Sequence, residues 1–355
     1  MPAPVVTALR LGAGLITCQR YPGDPRSDRR LYEEALEFAV AAERFGLDSV
    51  YVSEHHFVDD GYLPSVMPLC AAIAARTERI EVGTALLLAP LHDPLRIAED
   101  AAVVDLISGG RLRLGIGLGW REEEFESFDV PLSERVGRLV DAIAVLRQAF
   151  GDGAVTGTAR RPIPGPGVFP KPCLPGGPPI VVGAMSEPAV RRAGRLADGL
   201  MATEVDPDGL AEQCGWAREE LARRDEAPAH PFEISLHVPV FCSEEDDAFA
   251  VAADHLRYVN WKYEDMESAR GRLGPVTPPA PSGEELLAAR AGSIVGNPDE
   301  VARAIDAFRR AAGGELHFIA RLYLPGLPWE LQLASLELFA TRAAPLAREL
   351  AGGNP

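Results

Sequence analysis

The chain has 355 residues, 47% of them hydrophobic, and a mean hydropathy close to zero, which fits a globular protein with an ample core. Its formal charge of −17, from 35 basic and 52 acidic residues, argues against nucleic acid or an anionic membrane surface as a partner. Cys18, Cys70, Cys173, Cys214 and Cys242 are scattered without a CxxC pair, so neither a disulfide framework nor a zinc site is expected. No signal-peptide pattern and no apolar run of the ~20 residues needed to span a bilayer is visible, which points to a cytoplasmic protein.

Strand-like and helix-like runs alternate along the sequence. Val5 to Leu15 reads as a first strand, and Leu31, Ala35, Phe38, Ala39, Ala42 and Phe45 form an apolar stripe at helical spacing. Ser49–Ser53 alternates as a second strand, followed by a helix near 65–76, a strand over 80–87 and a helix over 94–107. Pro94 suits a first helical turn, and Gly109-Gly110 suits an end. A fourth strand, 111–116, precedes a helix over 132–150. Residues 151–178 then hold seven Pro and seven Gly, which excludes a helix and predicts an irregular insertion.

Strands over 179–182 and 200–203 follow, with helices over 186–196 and 207–223. A seventh strand, 233–241, leads to a helix over 244–270, a second Pro/Gly insertion at 271–283 and a short helix near 284–290. A helix over 298–310 with Asn297 as its cap, a strand over 316–322 and a helix over 329–350 complete the chain. Eight strand-helix units without a compositional break predict one (β/α)8 TIM barrel over 1–355, with insertions after strands four and seven. A doubly wound sheet is the alternative.

In a barrel, chemistry sits where strands end. There the sequence places Glu54-His55-His56-Phe57, two imidazoles beside a carboxylate able to supply acid, base and tautomer control. A hydrogen-bonded histidine pair on a loop is the structural alternative. Successive strand residues point to opposite sides, so His55 and His56 should not share one metal ion, and no metal site is expected. Gly115-Ile-Gly117-Leu-Gly119-Trp120 is either a tight turn or a place where backbone approaches a flat ligand. Trp120 replaces the third glycine of a dinucleotide fingerprint, and Glu122-Glu123-Glu124 would repel a pyrophosphate. Gly183-Ala184-Met185-Ser186 opens a helix and could cradle a phosphate, or simply cap it.

These stretches, taken together, resemble the bacterial luciferase-like flavin monooxygenase family. The resemblance is carried by Tyr51-Val-Ser-Glu-His-His-Phe57, Val82-Gly-Thr-Ala-Leu86, Pro90-Leu-His-Asp-Pro-Leu-Arg-Ile-Ala-Glu-Asp100 and Ser108-Gly-Gly-Arg-Leu-Arg-Leu-Gly-Ile-Gly-Leu-Gly-Trp120. Val182-Gly-Ala-Met-Ser186, Gly296-Asn-Pro-Asp-Glu-Val301 and Leu336-Glu-Leu-Phe339 with Pro345 continue it in order. It implies a barrel that binds reduced flavin at the strand C-termini, usually as a homodimer. It also implies His55 as the catalytic histidine, with His56 and Glu54 supporting it. Ala85-Leu86 would face the flavin, at a position where relatives often carry a non-proline cis peptide. Gly117 and Leu118 fall where luciferase itself has a reactive cysteine and a phosphate-contacting arginine. The phosphate would therefore rest on Gly183, Ala184, Met185 and Ser186, with Arg191 or Arg192.

Two cofactors are compatible with the resemblance. Reduced FMN from a separate flavin reductase would activate O2 to oxidise a small organic substrate. The deazaflavin F420 would instead make the protein a hydride-transfer oxidoreductase, and a flavin-binding protein without turnover is a further reading. Trp261 and Tyr263 are candidates to stack on the flavin or line its pocket, and the two insertions are candidate lids.

Overall fold

The computed structural model describes residues 9–165, 167–274 and 276–352. Residues 5–8 of the expected first strand, and single positions in both insertions, lie outside that range. Eight parallel strands close into a barrel: β1 (Leu9–Ile16), β2 (Ser49–Val52), β3 (Glu81–Thr84), β4 (Leu112–Ile116), β5 (Ile180–Gly183), β6 (Gly199–Ala202), β7 (Glu233–Cys242) and β9 (Leu316–Arg321). Closure comes from β9 pairing with both β1 and β7 while β6 also pairs with β7. The remaining strand, β8 (Ile294–Gly296), extends the C-terminal end of β7 through Val240–Cys242. Its three residues carry no alternation, so periodicity does not reveal it.

The helices are α1 (Asp28–Arg44), α2 (Val66–Arg76), α3 (Pro94–Ser108), α4 (Glu122–Ser127), α5 (Arg135–Phe150), α6 (Glu187–Leu196), α7 (Pro207–Leu221), α8 (Ala248–Ser268), α9 (Gly283–Ala291), α10 (Pro298–Ala311), α11 (Trp329–Leu338) and α12 (Ala344–Gly352). Several of them start where side chains replace missing backbone partners. Ser27 accepts from Arg30 N at 3.2 Å, and Asn297 and Glu300 form a reciprocal capping box. The closing helix expected over 329–350 is divided, because a wide turn at Phe339–Ala343 separates α11 from α12. No helix among the described residues is long and apolar enough to cross a membrane.

Side chains inside the barrel form layers. At the N-terminal ends of the strands Arg10, Glu81, Arg113, Glu233 and His317 build a charged plug. Arg10 and Arg113 meet Glu233 at 2.7 and 2.9 Å, and His317 meets it at 3.1 Å. Above the plug lies an apolar layer of Leu15, Tyr51, Ala85, Val181, Met201 and Ile319, with Leu86 against it. The mouth begins beyond that layer.

The insertion at 151–178 runs along the outside of α3 and α5. Thr158 donates to Asp141 at 2.8 Å, Cys173 N–H donates to Asp105 at 2.7 Å, and Arg161 pairs with Asp93. These contacts fasten its described residues to α3 and α5, from Asp93 at the start of α3 to Asp105 near its end. The insertion at 271–283 does border the mouth, where Gly271 N–H donates to Glu123 at 2.9 Å.

Candidate active site

Glu54, His55 and His56 leave the end of β2 and diverge at once. His55 Nδ1 lies 2.9 Å from Glu124 Oε1, and the same oxygen accepts the His56 backbone N–H at 2.8 Å. Glu124 is fully buried on the first turn of α4, where the helix N-terminus favours an acid. Its carboxylate holds a proton on Nδ1 and leaves Nε2 as the nitrogen free to exchange one. Arg121, at the N-cap of α4, ties this loop down. It donates to His56 O at 2.6 Å and Met266 O at 3.1 Å, and it pairs with Glu123.

Three aromatic rings surround His55 edge-on. Tyr62, Tyr263 and Trp120 have centroids 4.9, 5.6 and 5.9 Å away. Tyr62 donates to Ser53 Oγ at 2.9 Å, and its hydroxyl lies 3.1 Å from that of Tyr263. The imidazole thus sits in a largely apolar enclosure, only 5% exposed. Tyr263 joins it as expected for a pocket residue. Trp261 does not: it packs against Tyr258 at 5.6 Å and under Lys262.

His56 turns the other way. Its Nε2 and that of His92 both lie 2.6 Å from Glu54 Oε1, and Leu88 N–H donates to Glu54 Oε2 at 3.2 Å. Burial alone would raise the Glu54 carboxyl, but the two imidazole hydrogen bonds outweigh it and hold the group at about 2. Burial opposes the charged form of His92 as well, and the bond to Glu54 reverses this and raises it. The donor atoms of Glu54, His56 and His92 lie within 4.8 Å of one another, a spacing that could also hold a metal ion. The expectation that His55 and His56 do not share an ion agrees with their divergence. The cluster that does form recruits His92 from the turn after β3, which local spacing does not show.

Beside His55 the floor of the mouth is built from small residues. The Ala85–Leu86 peptide is cis, and Leu86 lies half-buried against β4 and β5. A Cβ on Gly183 would come within 2.0 Å of Leu86 Cδ1, and one on Gly117 within 2.7 Å. At both glycines a larger residue would have to displace the tip of the Leu86 side chain. Leu118 follows, half-buried. Met185 and Ser186 are exposed at the start of α6, and the Ser186 side chain makes no capping hydrogen bond, so its hydroxyl is free for a ligand. Arg191 is occupied by Glu187, Glu219 and Glu220, whereas Arg192 keeps a buried Nε without a partner. A flat ring over Leu86, Gly117 and Gly183, with an anionic tail toward α6, fits these residues.

Glu124 is the functional residue that sequence reasoning missed. Its run of three glutamates reads as a repulsive surface until Phe125, fully buried, is seen to give the segment a helical inner face. His92 stands within the Pro90–Asp100 stretch that carries the resemblance, and nothing in that stretch points to Glu54.

Known proteins with similar sequences and folds give this geometry a context. The flavin-dependent trigonelline monooxygenase oxygenase component of Acinetobacter baylyi is 25% identical over 92% of either chain. The F420-dependent glucose-6-phosphate dehydrogenase of Microbacterium testaceum is 34% identical, over 51% of this chain and 55% of that one. The chain therefore spans about half the length of some curated relatives that it matches. The crystal structure of monooxygenase RslO1 from Streptomyces bottropensis superposes with a TM-score of 0.81 at 25% identity, covering 95% of this chain and 99% of that one. The luciferase-like monooxygenase profile matches residues 13–315, and with the closed barrel and its histidine-bearing mouth this establishes that the chain belongs to that family and is an oxidoreductase.

Proposed function

We propose that the protein is the oxygenase of a two-component system, taking reduced FMN from a separate reductase and using O2 to oxidise a small organic substrate. The observation that carries this reading is the His55–Glu124 pair in its aromatic enclosure beside a floor of small residues. Ala85, Leu86, Gly117 and Leu118 would lie against the ring, and Gly183, Ala184, Met185 and Ser186 would meet the phosphate. Reduced FMN, when bound, supplies the two electrons with which O2 is activated. The protein supplies the rest. Tyr62, Trp120 and Tyr263 keep water from the reacting face, and His55 Nε2 gives or takes the proton that the reaction moves. Glu124 keeps that imidazole in one tautomer and orientation.

Similarity over 92% of the chain to a protein named as an oxygenase component supports this reading. The 34% identity to an F420-dependent dehydrogenase supports a second one, in which His55 protonates during hydride transfer. Anaerobic fluorescence titration with reduced FMN and with F420 separates the two. Binding of reduced FMN with O2 uptake on mixing is the expected result, and binding of F420 alone would replace the first reading by the second. A homodimer belongs to the proposal, supported by Val103, Leu106 and Ile107 exposed along α3. Five free cysteines support a cytoplasmic setting.

A further inference from the structure

Arg321 ends β9 at the mouth, in register with Gly14 of β1 and Pro239 of β7. His317, Ile319 and Arg321 share the inner side of the strand. His317 bonds Ser49 Oγ at 2.7 Å in the plug, and Ile319 lies in the apolar layer above it, so Arg321 stands one layer nearer the opening. It is only 4% exposed, and its Nε and Nη2 have no hydrogen-bond partner. No carboxylate pairs with it among the described residues. By contrast Arg121, Arg257 and Lys262, the other fully buried cations among the described residues, each meet Asp or Glu, as do the part-buried Arg10 and Arg113 of the plug.

What does surround Arg321 is neutral. The Tyr263 ring, which also touches His55, lies 6.0 Å from its guanidinium carbon. On β7, His237 points inward like Ser235, whose hydroxyl meets Glu233 at 2.7 Å. Burial, with Arg321 adding to it, pushes the His237 imidazole down to about 3, so it carries no charge. His237 Nδ1 has no partner either, and the residue keeps exposed surface although it lines the barrel interior, so open space adjoins it. Leaving a guanidinium buried and unpaired costs several kcal/mol, and its forked donors match two oxygens of one planar anion.

We propose that Arg321, with His237 beside it, is a subsite for the carboxylate of the organic substrate, so that the enzyme acts on acids rather than on neutral molecules. The inference rests on the flavin-oxygenase reading only for the word substrate. The floor of Leu86, Gly117 and Gly183 lies on β3 to β5, whereas Arg321 and His237 lie on β9 and β7 across the mouth, which leaves this side for the second ligand.

Benzoate and its uncharged counterpart benzamide serve as probes, read by Trp fluorescence and thermal shift on the full chain. Benzoate is expected to bind at least tenfold more tightly than benzamide. Arg321→Gln should remove that preference, and Arg321→Lys should retain part of it. The melting temperature of Arg321→Gln without ligand should not fall, because no partner is lost, and its affinity for reduced FMN should stay within about twofold of the wild type. An unchanged benzoate preference in Arg321→Gln overturns the proposal, as does a loss confined to FMN affinity, which would assign the cation to the cofactor. If wild type binds no reduced FMN yet benzoate still depends on Arg321, the cofactor reading fails and the subsite stands.

Discussion

A single carboxylate oxygen shared by a ring N–H and a backbone N–H fixes both the tautomer of an imidazole and the path of the loop that carries it, and Glu124 does this for His55 and His56. Glu124→Gln keeps an acceptor but loses the charge. Product formation coupled to reduced FMN should fall on the order of 10²-fold with the circular dichroism spectrum unchanged, and wild-type turnover would remove Glu124 from its role. Glu54 gives a pH prediction. Its carboxyl, held at about 2, contributes stability that is complete above its ordinary value of about 4.3 and lost as pH falls toward 2. His92 is raised, so its contribution is complete below about 6.5 and lost as pH rises through its folded value. The clamp is therefore strongest between roughly pH 4.5 and 6.5. The melting-temperature gap between wild type and His92→Ala should be widest there and shrink as pH rises through the raised value of His92. Because two imidazole hydrogen bonds already satisfy Glu54 Oε1, EDTA should leave activity unchanged; a loss restored by a divalent ion would assign a metal to Glu54, His56 and His92.

At the scale of elements, β3, β4 and β5 approach so closely that side chains on two of them are replaced by hydrogen. Gly183→Ala places a Cβ against Leu86 Cδ1 and should destabilise by ~1–3 kcal/mol in denaturant melts. Adding Leu86→Ala should recover part of that loss, because the clash is with a side-chain tip. Gly115→Ala meets the Thr84 carbonyl oxygen at 1.9 Å, so the same second substitution should not rescue it. Equal rescue of both variants would show that the close approach does not set these glycines. Elements whose ends carry local chemistry were legible in the sequence. Asn297 announces α10, and Pro94 with Gly109 brackets α3. The short α4 and β8 were not, since six and three residues offer too little periodicity to register.

Across the whole molecule the two ends of the barrel divide the work. The plug around Glu233 sits at the N-terminal ends of the strands, far from His55 in the layering, and serves stability. Burial would raise the Glu233 carboxyl, but His317, Arg113 and Arg10 hold it well below the usual range, so its contribution persists at neutral pH and fades only in acid. Glu233→Gln should cost ~3–5 kcal/mol, with KM for the organic substrate unchanged; a shifted KM would connect the plug to the mouth.

Periodicity and capping are properties of neighbouring residues, so the order of strand-helix units, the strand end that carries Glu54-His55-His56 and the Asn297 cap were readable before folding, while closure into a barrel required the pairing of β9 with β1 and β7. Tertiary structure alone decided which partners those histidines take. Glu124 lies 69 positions from His55, His92 lies 38 from Glu54, and Arg321 reaches the mouth from the last strand. Barrel closure sets such distances, and no local pattern records it. The acidic run that reads as repulsion in one dimension thus becomes, once α4 folds, the anchor of the imidazole.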